Sequence, residues 1–184
     1  MHAKVDEMDA RVDGWFQHLR GHHIADRAFY TASSLGEFGL VWVIVALLRA
    51  LRGRPNDERA AVRAIVASGA ESVIVNVGLK SVFHRRRPVA PAEHPHPFRQ
   101  PLTSSFPSGH ATAAFCSATL LADGDDLAPL YYAAAAVVAA SRIHVRIHHA
   151  SDVIGGAVIG LVLGRIARLV SPLPNPPVKG IRSR

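Results

Sequence analysis

The chain has 184 residues, 49% of them hydrophobic and 19% charged, with a formal net charge of +7. That length fits one domain, and basic charge set between apolar blocks is the pattern of a membrane protein with basic flanks. No basic stripe with interleaved aromatics points to nucleic acid, so a nucleic-acid binder is excluded.

The opening MHAKVDEMDARVDGWFQHLRG mixes acids with bases and has no apolar h-region, so no cleavable signal peptide is expected. Over residues 4–20, Val5, Met8, Val12, Trp15, Phe16 and Leu19 recur at three-and-four spacing. The other face carries Asp6, Asp9, Arg11, Asp13 and Gln17. This predicts an amphipathic helix lying in the membrane interface, the alternative being a helix that caps a core.

A first span is expected at 29–48, FYTASSLGEFGLVWVIVALL, with Glu37 its one charge; Arg49, Arg52 and Arg54 follow, then a break at Pro55 and Asn56. A second, at 61–79, contains Glu71 and Asn76, and polar groups in such a helix face the bundle interior. Functional and structural roles for the two glutamates both stay open. Residues 80–107 are too rich in proline for helix or strand, and a loop that long is functional or disordered.

A third apolar segment runs over 109–122, and the acidic turn DGDD follows at 123–126. The third segment holds the one cysteine, Cys116, which excludes an intrachain disulfide and reads as a small packed hydrophobe. The fourth segment covers 127–141 and the fifth 152–170, where Gly156, Gly160 and Gly164 form a ridge for close helix contact. The fold class expected is all-α, a polytopic transmembrane helical bundle of about five spans with an N-terminal interfacial helix. The expected divisions are residues 1–27 for that helix, 28–171 for the membrane domain and 172–184 for a basic, proline-rich tail. Five spans put the N-terminal helix, the 80–107 loop and the 142–151 loop on one side. The 49–60 loop, the 123–126 turn and the C-terminus fall on the other.

Three polar clusters share the first side. Lys80, Arg87 and Arg142 have no carboxylate close by in sequence, and arginine forks match phosphate oxygens. Ser108 is a natural N-cap, Gly109 lets backbone approach a ligand, and a helix N-terminus binds anions. Such a set suits a tetrahedral oxyanion. His148 has Asp152 four residues on, which would fix the imidazole tautomer and leave a nucleophilic lone pair. His110 beside the anion site could protonate a leaving alkoxide.

These clusters resemble the three signature motifs of the type 2 phosphatidic acid phosphatase superfamily: K-x6-RP, PSGH and SR-x5-H-x3-D. Here they read Lys80 to Arg87-Pro88, then Pro107-Ser108-Gly109-His110, then Ser141-Arg142, His148 and Asp152, with every spacing kept. The resemblance implies a metal-independent phosphatase that needs no cofactor. His148 would form a phosphohistidine, Asp152 would orient it, and His110 would serve as acid and then base. Lys80, Arg87, Ser108, Gly109 and Arg142 would hold the phosphate. The substrate would be a membrane lipid phosphate, with a mono- or diphosphate on a polyprenyl or glycerolipid, in a bacterial plasma membrane. Members of the family commonly have six spans, against five here.

Other histidines and arginines receive no catalytic role. His84, Arg85 and Arg86 read as a solvated or headgroup-facing patch, His144 and Arg146 as entrance or water-facing groups, and His149 is given no role. His94 and His96 make too poor a set for zinc. Lysines and arginines are nearly balanced between the two sides; with the site cations assigned to phosphate, the C-terminal side becomes the cytoplasmic one. Two alternatives are a non-enzymatic protein that binds or moves anionic lipid, and a vanadate-dependent haloperoxidase relative.

Overall fold

The structure is a computed structural model that describes residues 2–89 and 103–174. The His94 and His96 pair and the last ten residues of the tail lie outside the described residues. Those described form seven helices and no strand. They are α1 (His2–Gln17), α2 (His23–Leu35), α3 (Leu40–Ala50), α4 (Asp57–Val73), α5 (Gly109–Leu121), α6 (Ala128–His144) and α7 (Ala150–Val170). α4 continues through a wider π-helical turn, Ile74–Leu79, to Val82.

α5 is the axis of the bundle. Ala111, Thr112, Ala114 and the whole run from Cys116 to Leu121 are buried. Around it close Trp42 and Ala46 from α3, Ala61 and Ala64 from α4, and Tyr131, Ala135 and Val138 from α6. Most of these residues are small, so backbones approach closely and packing substitutes for a hydrophobic drive that lipid does not supply. α7 shows the same logic most sharply. Its glycine ridge lies on α5 within this chain: a Cβ on Gly156 would stand 2.6 Å from the Ser108 carbonyl oxygen, and one on Gly164 3.0 Å from that of Cys116. The opposite face carries Ile154, Val158, Val162 and Ile166, each about half exposed. Small residues inside and branched apolar residues outside form the pattern of a helix solvated by lipid.

Two helices are long and apolar enough to cross a membrane: α4 with its continuation (Asp57–Val82, 26 residues) and α7 (21 residues). α2 and α3 would make a third if taken together, bent by 77° where they meet. All five expected segments are therefore helical, but only two or three reach spanning length. α5 with 13 residues and α6 with 17 fall short of the roughly 20 a span takes. Burial on all sides lets α5 be short, because its ends meet protein.

The loops gather at two ends as expected. At one end Arg49 and Arg52 each lie 3.0 Å from Asp57, and Arg63 lies 2.7 Å from Asp123. Arg63 also donates to the Ser171 carbonyl at 3.0 Å. The 49–60 loop, the 123–126 turn and the segment after α7 are thereby tied together. α1, residues 83–88, residues 103–108 and the α6–α7 turn meet at the other end. There α1 rests Val12 and Phe16 on a cluster of Ala111, Ala139, Ile143, Ala150 and Val153, while Trp15 stays exposed.

The glycine ridge gives a direct test. Gly160→Val forces a side chain into the Thr112 carbonyl, an overpacking that costs about 1–3 kcal/mol or more. Thermal unfolding in detergent should show a clear loss of stability for this variant and little change for Val158→Leu on the outer face. Equal behaviour of the two would show that the ridge is not a packing seam.

Candidate active site

Six of the eight residues singled out from the sequence line one cavity of about 660 Å3: Lys80, Arg87, Gly109, His110, Arg142 and His148. Ser108 and Asp152 stand behind its wall, both with no exposed surface. The elements that place them are short and local. Ser108 caps α5 and accepts from the Ala111 N–H, and its own N–H donates to the Asp152 carbonyl at 3.0 Å. The N-terminus of α5 is thereby locked to the first turn of α7. Between α6 and α7 the chain turns through Arg146, whose φ is 55°, and the N–H groups of Ile147 and His148 both reach the Arg142 carbonyl at 3.2 Å. This wraps the loop so that Arg142 and His148 face one space.

His148 is 4% exposed. Its Nε2 lies 3.2 Å from Nη1 of Arg87. A guanidinium can only donate, so Nε2 is the acceptor and the ring proton sits on Nδ1. Nδ1 faces Asp152 Oδ2 at 3.8 Å, beyond hydrogen-bond range, so the carboxylate acts on the imidazole through its charge. The direct His–Asp hydrogen bond expected from the i, i+4 spacing is not formed, because Asp152 Oδ2 is taken by Ser105 Oγ at 2.5 Å and the His149 N–H at 2.9 Å. Burial pushes the His148 pKa down to about 4; Arg87 and Arg142 add to this and Asp152 opposes it.

The cations are held rigidly. Arg87 donates to the Ile147 carbonyl at 3.0 Å and to the carbonyls of Thr103 and Ser104 at 3.2 Å. Arg142 is buried and donates through Nη1 to Ser33 Oγ on α2. Lys80 Nζ donates to Asn76 Oδ1 at 2.9 Å and borders Gly109, where a Cβ would be 3.4 Å from Nζ. His110 Nε2 and Arg142 Nε are buried with no hydrogen-bond partner among the described residues. Three cations, a helix N-terminus and one imidazole lone pair thus converge on a space that suits a tetrahedral anion. No group of three or more His, Cys, Asp or Glu able to hold a metal occurs among the described residues.

Several side chains contradict their expected places. Arg85 is not a solvated patch: its Nη1 lies 2.6 Å from Asp152 Oδ1 and its Nη2 2.6 Å from Asp9 Oδ2. Asp9, expected on the outward face of α1, is 6% exposed and also accepts from the Ser151 N–H at 2.8 Å and Ser151 Oγ at 2.7 Å. Asp9 stands four residues after Val5, three before Val12 and seven before Phe16, so helical period sets it on the face of α1 that packs inward, where it meets the polar groups of Arg85 and Ser151. His144 neither lines an entrance nor meets water; it is buried, stacks on Phe29 at 4.6 Å between centroids and lies 2.8 Å from Asp26. Arg146 donates to Gln17 at 2.7 Å and so also ties α1 down. Nothing in the local sequence names the partners of Asp9, Arg85 or Ser105, which lie 47 to 142 residues away.

Comparison with known proteins agrees with this geometry. Residues 60–174 match the PAP2 superfamily, a stretch that contains every motif residue above. The decaprenylphosphoryl-5-phosphoribose phosphatase of Mycobacterium tuberculosis is 34% identical over 142 residues, covering 74% of this chain and 76% of that protein. The crystal structure of Aquifex aeolicus LpxE is similar with a TM-score of 0.69 and 27% identity, covering 86% of this chain and 93% of that one. A transmembrane PAP2 type phosphatidylglycerolphosphate phosphatase from Bacillus subtilis shares the fold with a TM-score of 0.72 at 21% identity, over 98% of this chain and 90% of that one. With its sequence matched from 60 to 174, and six of its eight singled-out motif residues lining one cavity, the chain belongs to the PAP2 superfamily.

Proposed function

We propose that this chain is an integral-membrane, metal-independent lipid phosphate phosphatase that works through a phosphohistidine on His148. The observation that carries the reading is the buried Nε2 lone pair of His148, set beside Arg87 in a cavity that Lys80, Arg142, Gly109 and His110 also line. The relative in Mycobacterium tuberculosis is a phosphatase by name, which supports the reaction class.

In the first step Nε2 of His148 attacks phosphorus and the ester P–O bond breaks. His110 passes to the departing alkoxide a proton that enters with the phosphate, whose charge offsets the cations around the ring. Lys80, Arg87, Arg142 and the N–H groups at the start of α5 carry the phosphoryl oxygens' charge, with Ser108 holding that helix start in place. Asp152 stabilises the cationic imidazole through space. In the second step His110, now neutral, takes a proton from water, whose oxygen attacks phosphorus and returns His148 free. Position supports this division of roles: His148 is backed by a carboxylate and His110 stands at the α5 terminus.

The same reading includes a five-span arrangement in a bacterial plasma membrane, with α1 in the interface, residues 28–171 as the catalytic domain and 172–184 as a basic tail. The exposed apolar stripe on α7 and the spanning length of α4 support insertion. α2 with α3, α5 and α6 would complete the set of spans, the shorter ones ending inside protein. A lipid phosphate as substrate is supported by the cavity's place among these apolar helices and by the name of the relative in Mycobacterium tuberculosis.

Two outcomes are expected. In detergent with EDTA, the protein should release phosphate from at least one lipid phosphate. His148→Ala should abolish release, and His110→Ala should slow it by about 10²–10⁴. Phosphate release that requires an added divalent ion, or that survives His148→Ala, would contradict the mechanism. The second outcome concerns pH. A His148 pKa near 4 keeps the imidazole neutral and nucleophilic down to about pH 5, and the lone pair is lost as pH falls through 4. An NMR titration of the His148 ring signal, assigned by its absence in His148→Ala, should show a midpoint near 4. A midpoint near the ordinary 6.5 would show that the ring is neither buried nor flanked by cations.

A further inference from the structure

The catalytic cavity does not end at the phosphate site. It continues along α4, where Ser68, Ser72, Asn76 and Lys80 follow one another at four-residue spacing and all line it. Lys80 Nζ donates to Asn76 Oδ1 at 2.9 Å, and Asn76 Nδ2 donates to Ser72 Oγ at 3.2 Å. Ser68 pairs with Ser117 of α5 at 3.0 Å. Glu71 lines the same cavity, is only 3% exposed, and its carboxyl receives no hydrogen bond among the described residues. An ionisable group inside a membrane helix is costly and faces a cavity for a reason. The mechanism above uses none of Ser68, Glu71, Ser72 or Asn76.

Glu71 also borders a second space of about 760 Å3, a groove between α4 and α7 lined by Val62, Val66, Leu163 and Ile166. The residue therefore stands where a polar cavity and an apolar groove meet. Lys80 folds back one turn to reach Asn76, so its ammonium lies near that level of α4. From Asn76 to Glu71 is five residues, roughly 7 Å along the helix axis. A phosphate bonded straight to a hydrocarbon chain would lay methylenes against this stripe and leave the Glu71 carboxyl without a partner. A phosphate carried on a hydroxyl-bearing unit of one glycerol or pentose would pair with it before the chain turns apolar.

We propose that Glu71, with Ser72 and Asn76, is a headgroup subsite: the phosphomonoester sits on a hydroxyl-bearing polyol that links it to the lipid, and Glu71 accepts hydrogen bonds from that polyol. This rests on the phosphatase reading and sharpens its substrate class. Glu71 touches the leaving group, so it governs which ester is hydrolysed and leaves the attack by His148 unaltered.

The test uses two matched pairs of probes. One pair is a prenyl phosphate and the same prenyl lipid carrying its phosphomonoester on a ribose. The other is phosphatidic acid and phosphatidylglycerol phosphate. Phosphate release by the full chain in detergent with EDTA gives kcat/KM for each. The expected result is a preference of about tenfold or more for the polyol member of each pair, the size of one or two hydrogen bonds. Glu71→Gln should erase most of that preference through KM while changing the direct phosphates less than about twofold. Ser72→Ala should lower the preference in the same direction, which covers the case in which Glu71→Gln does not fold. Wild-type protein without a preference, or variants that lose activity equally on both members, would overturn the subsite and leave the phosphatase reading standing. No release from any of the four probes would instead overturn the phosphatase reading itself.

Discussion

A carboxylate with no exposed surface, Asp152, holds the polar end of this bundle together. An isolated buried charge is too costly to keep, so it must be met by hydrogen bonds and an opposite charge. The partners come from separate parts of the chain: Ser105 from the loop before α5, the His149 N–H from the turn before α7, and Arg85 from the loop after α4. Arg85 in turn is shared with Asp9 on α1, and Asp9 also holds Ser151. One buried charge therefore recruits α1, α7 and both loops that carry the phosphate-facing residues. What keeps Asp152 stable also keeps His148 in place, so fold and site rest on the same contacts.

Close packing sets the register of that site. Without side chains at Gly156 and Gly160, α7 can lie directly against α5, and this proximity lets the Ser108 N–H reach the Asp152 carbonyl. The helix whose N-terminus faces the cavity and the helix that carries the carboxylate are then fixed to each other by backbone. Gly36 plays a similar part on the other side, where a Cβ would lie 3.0 Å from the His110 ring. α2 approaches His110 because nothing projects there. The geometry of three motifs far apart in sequence is thus a consequence of small residues at helix crossings.

The sequence made the helices and the motif residues legible because each depends on local pattern: apolar runs, a serine before a helix, a histidine four residues before an aspartate. Of the eight residues that the motifs single out, six line one cavity and two stand behind its wall. What pattern could not show were contacts between distant segments. Asp9 reads as a surface acid by its charge, yet helical period sets it on the packed face with Val12 and Phe16, and it is buried where that face meets Arg85 and Ser151. Arg85 looks like part of a basic patch, but its neutralising carboxylates are 67 and 76 residues away. The i, i+4 spacing of His148 and Asp152 placed them as neighbours but not at bonding distance, since Ser105 competes for the carboxylate oxygen. Span number was also only partly legible, because a helix enclosed by others need not be as long as one that meets lipid.

The phosphohistidine is tested most directly by trapping it. A lipid phosphate that the protein hydrolyses would be mixed with His110→Ala protein, in which hydrolysis of the intermediate is slowed, and quenched in alkaline denaturant. A 31P NMR signal of a phosphoramidate, mapped by mass spectrometry to the peptide containing His148 and missing when His148 is also replaced by Ala, is the predicted result. Turnover without any phosphoryl-protein, or a phosphoryl group on another residue, would contradict nucleophilic attack by His148.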